Sequence, residues 1–146
     1  MKELLYLKDD QLKDLIEKLF VGYREIFSDS KKTLDKYSIG LAHNKVILLL
    51  SIYEGISISE LLKKLKVTKQ SLNRVLRDLI KSKMIKQVQD ETDTRKKNLF
   101  LDKEGKTFFD TVYGTQKRRI FNALKNSSSD SVIKFKDVLK KIIDGK

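Results

Sequence analysis

Two short helical stripes set close together, followed by a change of period, constrain this chain more than any other feature. Ser57-Ile58-Ser59-Glu60 has the spacing of a capping box, in which Ser57 and Glu60 can satisfy free amides at a helix start. Leu61, Leu62 and Leu65 follow, and the pattern stops near Lys66. Thr68 can cap a second helix, where Leu72, Val75, Leu76, Leu79 and Ile80 recur at the i, i+3, i+4, i+7, i+8 spacing of one helical face. After Lys83 the period changes. Ile85–Gln89 and Asn98–Leu101 alternate in part, and the intervening DETDTRKK is too polar to pack. Strand, polar loop, strand is the economical reading. The fold class expected is mainly α with a small β-hairpin wing: a winged helix-turn-helix.

The flanks are helical. From Asp10 to Phe27, Leu12, Leu15, Ile16, Leu19, Phe20, Tyr23, Ile26 and Phe27 fall on one stripe. SDSKK interrupts it, a looser continuation carries Leu34 and Tyr37, and Ser38-Ile39-Gly40 reads as a break. The run VILLLSIY within Leu41 to Tyr53 is apolar nearly all round, as in a helix packed on several sides, and Gly55 can end it in a left-handed conformation. Asp102 can cap a long helix from Lys103 to Leu124 with Phe108, Phe109, Val112, Ile120, Phe121 and Leu124 inward and Tyr113 alongside. NSSSD reads as a turn before a last helix, Ser131 to Ile143, with Val132, Phe135, Val138, Leu139 and Ile142.

These patterns divide the chain into an N-terminal helical segment (1–40), a winged helix-turn-helix (41–101) and C-terminal helices (102–146). The outer helices carry more aromatic surface than so small a lobe can bury. A second chain could cover it, making the outer segments dimerisation helices, although helices of one chain could also pair with each other.

Composition removes several function classes. The chain has 146 residues, no Cys and one His. Disulfides, thiolate chemistry and Cys zinc sites are excluded, as is a His cluster. No credible metal set or cofactor site emerges. The carboxylates sit mostly beside lysines on polar faces, with no nucleophile–base grouping, so an enzyme is not expected. The apolar runs are too short to span a bilayer, and the opening MKELLYLKDD lacks the apolar core of a secretory leader. The expectation is a cytoplasmic protein, associated with the nucleoid when bound to DNA.

The net charge is +12, which favours an anionic partner. Residues 61 to 100 hold 12 Lys or Arg against 4 Asp or Glu, so two thirds of the excess lies on the helix pair and hairpin. With its apolar stripe inward, the helix after Thr68 displays Lys69, Gln70, Asn73, Arg74, Arg77 and Lys81. Amides can pair bidentately with adenine, and Arg with guanine, in a major groove. Gln70 and Asn73 are favoured for base edges, Arg74 for either task, and Lys69, Arg77 and Lys81 for phosphates. The Thr68 hydroxyl and the free amides of the helix start could hold a further phosphate. The hairpin tip carries Asp93, Arg95, Lys96 and Lys97, a basic loop able to reach backbone or minor groove; Arg95 could instead pair with Asp93 and stiffen the tip. Each residue alone reads equally as solvated surface. Their grouping points to double-stranded DNA.

The stretches ISISELLKKLKVTKQSLNRVLRDLIKSKMIKQ and DTRKKNLFLDKEG resemble the MarR family of bacterial transcription regulators. Asp93, Arg95, Leu101, Asp102 and Gly105 match the family's wing signature, with Asp102 in place of the usual Thr. LAHNKVILLLSIYEG followed by KVTKQSLNRVLRDLI is similar to a narrower, PetP-like group in alphaproteobacteria. The resemblance implies a homodimer with interlocked terminal helices, reading a near-palindromic site, commonly as a repressor. It places Thr68 to Arg77 on the recognition helix and Arg95 on the wing arginine. It also implies a possible small-molecule effector between the dimer helices and the winged lobe, where Tyr23 and His43 are candidate ligand-lining residues. A helix-start hydrogen bond for His43 and a packed aromatic for Tyr23 are the plainer alternatives. The chain departs from the family at Lys83, where Gly usually follows the recognition helix, and at Gln87, where Arg is usual. An architectural DNA-binding protein without sequence preference or effector is the alternative function, and RNA binding is weaker still.

Overall fold

The computed structural model describes residues 4–146, so the first three residues of the opening stretch lie outside the described residues. After a 3₁₀ turn at Leu5–Leu7, the elements are α1 (Asp9–Ser28), α2 (Lys31–Lys36), α3 (Leu41–Ile52), β1 (Ile56–Ser57), α4 (Ile58–Leu65), α5 (Lys69–Lys81), β2 (Ile85–Gln89), β3 (Lys97–Leu101), α6 (Lys103–Lys125) and α7 (Ser129–Asp144). The mainly helical fold with a hairpin is the expected one. The described residues form two compact units. One holds those up to Ser30 together with Gly114–Lys146; the other is Lys31–Tyr113.

The 31–113 unit contains the buried core. Ile47, Leu50, Leu61, Leu79, Leu99 and Phe108 are fully buried, joining α3, α4, α5, β3 and the start of α6 around one centre. At about 25 cal/mol per Å² of apolar surface removed from water, each such side chain contributes roughly 1.5–3 kcal/mol before conformational entropy is charged against it. The caps set the helix starts. Ser57 Oγ accepts from the Glu60 amide at 3.2 Å, and Thr68 Oγ1 from the Ser71 amide at 3.1 Å. Ser128 does the same for α7, accepting from the Ser131 amide.

The sheet has three strands in the order β1-β3-β2, all antiparallel. Ile85 faces Leu101 and Gln89 faces Lys97 in the hairpin. The sequence pattern gives no strand before α4, because two residues are too few to display alternation. Ile56 and Ser57 nevertheless pair with Leu99 and Asn98, attaching the start of α4 to the hairpin.

Two backbone details fix the junction between α5, the hairpin and α6. Lys83 has φ 61°, so the left-handed turn after α5 is kept without glycine. The Met84 carbonyl accepts from the Asp102 amide at 2.9 Å, and a Cβ on Gly105 would lie 2.0 Å from that same oxygen. Only glycine fits there.

In the other unit, Asp29 at the end of α1 accepts a bidentate hydrogen bond from the Arg119 guanidinium of α6. That bond holds the Asp29 carboxyl below the usual carboxylate range. The long apolar stripes here are not buried within the chain. Ile16, Phe20, Phe121, Ile133 and Phe135 are each more than half exposed. The expected inward placement of Ile120, Phe121 and Leu124 therefore fails within one protomer, since these side chains are 37% to 56% exposed.

Candidate nucleic-acid interface

α5 turns one face inward with Leu72, Leu76 and Leu79 buried. Its outward face displays Lys69, Gln70, Asn73, Arg74, Arg77 and Lys81, all exposed, with Thr68 exposed at the cap. The 3.6-residue repeat explains this division, because residues three and four apart share a face. Ile80 departs from the expected core stripe. It is 40% exposed and lines an open cleft with Gln70, Asn73, Arg77, Gln87 and Ile58.

That cleft, about 440 Å³, lies on the β2 side of α5. A second, about 640 Å³, lies on the other side and takes in Ser59, Lys63, Lys69, Arg95 and Lys97. Asn73 and Ile58 line both, so the two clefts adjoin at these residues. Gln87, read from sequence only as a missing arginine, is thus a polar member of the same surface. Lys63 and Ser59 of α4 were not singled out in the sequence. Their signal was the position of Lys63 on the face opposite Leu61 and Leu65.

The hairpin tip is held by one carboxylate. Asp90 Oδ2 accepts from the Thr92 amide (3.1 Å), the Thr92 hydroxyl (2.7 Å) and the Asp93 amide (3.0 Å), and Oδ1 accepts from Asn98 Nδ2 (3.0 Å). These donors, Asn98 foremost, hold the Asp90 carboxyl well below the usual carboxylate range. Asp93 Oδ1 accepts from the Arg95 amide at 3.0 Å and lies 4.0 Å from Arg95 Nε. The Arg95 side chain remains 96% exposed, and Lys96 and Lys97 are exposed beside it. Stiffening of the tip by Asp93 and outward display of Arg95 therefore coexist.

The two residues considered for a small molecule have protein partners. His43 Nε2 lies 2.9 Å from Asp78 Oδ2, a link between α3 and α5 across 35 residues of sequence. Its Nδ1 is buried without a hydrogen-bond partner. Tyr23 belongs to the other unit, where its ring sits 4.5 Å from that of Phe27 and the residue is 45% exposed. Among the described residues, no group of three or more His, Cys, Asp or Glu is placed to hold a metal, and no helix is long and apolar enough to cross a membrane.

Residues 41–96 match the model of the MarR family. The chain is 33% identical over 141 residues to the HTH-type transcriptional regulator PetP of Rhodobacter capsulatus, spanning 97% of this chain and 85% of that protein. Its fold is similar to NadR in complex with 4-hydroxyphenylacetate, with a TM-score of 0.75 and 16% identity over 97% of both chains. It is also similar to the Staphylococcus aureus MepR–DNA complex, with a TM-score of 0.62 and 19% identity over 88% of this chain and 96% of that one. With an open, basic, amide-bearing helix beside a basic hairpin, and a relative of this identity along nearly its whole length, the chain belongs to the MarR family of winged helix-turn-helix transcriptional regulators.

Proposed function

We propose that the chain is a homodimeric repressor that reads a near-palindromic site in double-stranded DNA. The observation that carries this reading is the exposed face of α5, where Gln70, Asn73, Arg74 and Arg77 stand over a buried Leu72-Leu76-Leu79 stripe. In a major groove Gln70 and Asn73 read base edges and Arg74 reads a base or a phosphate. Thr68, Lys69, Arg77 and Lys81 hold phosphates, and Arg95, Lys96 and Lys97 reach the backbone or minor groove from the hairpin. The similar fold of MepR in its complex with DNA supports the same use of the surface. Such work places the protein in the cytoplasm, at the nucleoid.

Residues 41–101 then form the DNA-binding part, with 1–40 and 102–146 serving dimerisation. The uncovered stripes of α1, α6 and α7 support this, since apolar area of that extent is normally covered. NadR was solved with 4-hydroxyphenylacetate, which supports a small-molecule effector here too.

Titration of the operator and of a random duplex tests the reading. Gln70→Ala or Asn73→Ala should reduce discrimination between the two by roughly 1–3 kcal/mol for each true base contact. An unchanged ratio in both variants rejects base reading by α5. Equal affinity of the wild type for unrelated duplexes favours an architectural role.

A further inference from the structure

We infer that Asp90 is a positioning residue for DNA binding: its carboxylate folds the hairpin tip before DNA arrives and so presents Arg95. The inference rests on the DNA-binding reading above and extends it to a residue that touches no DNA itself.

The tip has no apolar anchor. Residues 91–97 are all exposed, so no buried side chain fixes their path. Polar bonds must supply the order, and most converge on Asp90. Its amide donates to the Lys96 carbonyl at 2.9 Å, closing the loop where the ladder ends. Its two carboxylate oxygens take four donors, from Thr92, Asp93 and Asn98. With the Asp93 backbone fixed in this way, Asp93 Oδ1 in turn fixes the Arg95 amide, and the Asp93 carbonyl takes the Lys96 amide at 3.0 Å. A second tie, Gln89 Nε2 to the Thr94 carbonyl at 2.8 Å, spans the same loop from outside this relay. The chain of bonds from Asp90 to Asp93 to Arg95 thus sets where an almost fully exposed guanidinium projects.

An ordered tip matters because a disordered one must either be ordered on binding, which lowers affinity, or forgo its contact with DNA, which lowers the salt slope. Asp90→Ala removes all four acceptor interactions. Asp90→Asn keeps an acceptor for the Thr92 and Asp93 donors. Its new NH₂ can be met by Asn98, whose Oδ1 is buried without a partner and becomes the acceptor when that amide turns over.

The test combines two readouts on the full-length protein. The first, without DNA, is ¹⁵N relaxation of the Thr92, Asp93 and Arg95 amides; they should be rigid in the wild type and in Asp90→Asn, and mobile in Asp90→Ala. The second is the salt dependence of affinity for a DNA duplex. Arg95→Ala removes one contact from each protomer, so it should lower the slope of log K against log salt by about 2 per dimer in the wild type and in the Asp90→Asn background, and by clearly less in the Asp90→Ala background. Unchanged relaxation in Asp90→Ala, or an equal effect of Arg95→Ala in every background, overturns the role of Asp90 while leaving DNA binding intact. Failure of the wild type to bind any duplex overturns the functional reading, and the inference with it.

Discussion

His43 Nε2 meets Asp78 Oδ2 at 2.9 Å, and this bond ties the flank of α5, one turn beyond Arg74, to α3. Among the described residues, the other side-chain hydrogen bonds of α5 and its caps are local, between Thr68 and Ser71 at its start and from the Ser82 hydroxyl to the Leu79 carbonyl at its end. The angle at which α5 leaves the core is thus set by apolar packing and by one polar bond.

Replacing Asp78 with Ala should therefore cost about 1 kcal/mol of stability. That is below the roughly 1.5–3 kcal/mol usual for a bond to a charged group, because the Asp78 side chain is 57% exposed. His43→Ala should cost a similar amount, and the double variant little more than either. Urea unfolding of the four proteins checks this, and strictly additive losses would show that the two side chains do not act together.

Much of this arrangement was legible in the sequence, and the exceptions have physical causes. The α4–α5 pair was readable because Ser57 and Thr68 are strong caps and the leucines between keep helical spacing. Strand β1 was not readable, since its two residues owe their conformation to β3 rather than to their own pattern. Ile80 fitted the α5 stripe but lies at its edge, facing the β2 cleft. The face of α5 was visible because its polar residues are separated by fixed helical steps. Asp90 was not, because its role depends on four donors folding back around it. The partner of His43 was equally hidden, 35 residues away.

Lys83 offers a test of backbone strain. A non-glycine residue in the left-handed region costs roughly 1–2 kcal/mol, while glycine loses about 0.5–1 kcal/mol more chain entropy on folding. Lys83→Gly should leave a net gain of about 0.5–1 kcal/mol in chemical denaturation, with the fold unchanged. A loss of stability would show that the Lys83 side chain contributes more than its backbone costs.

The order of the hairpin tip should be insensitive to moderate acid. Asp90 has its carboxyl held below its ordinary value of 3.8, so its stabilising bonds are fully present above that pH and fade only as pH falls through the lower folded value. Amide shifts of Thr92 and Asp93 should stay constant between pH 7 and pH 3, after allowing for neighbouring carboxylates. A midpoint for these amides near pH 4 would contradict the depressed value.

The most direct test of the central claim is selection of bound duplexes from a random pool by the purified protein. Two exposed α5 helices in a two-fold dimer should enrich one motif made of inverted half-sites. Their centres should lie about one helical turn, 10–10.5 base pairs, apart or a multiple of it. A bound pool indistinguishable in sequence from the input would contradict specific DNA reading by α5.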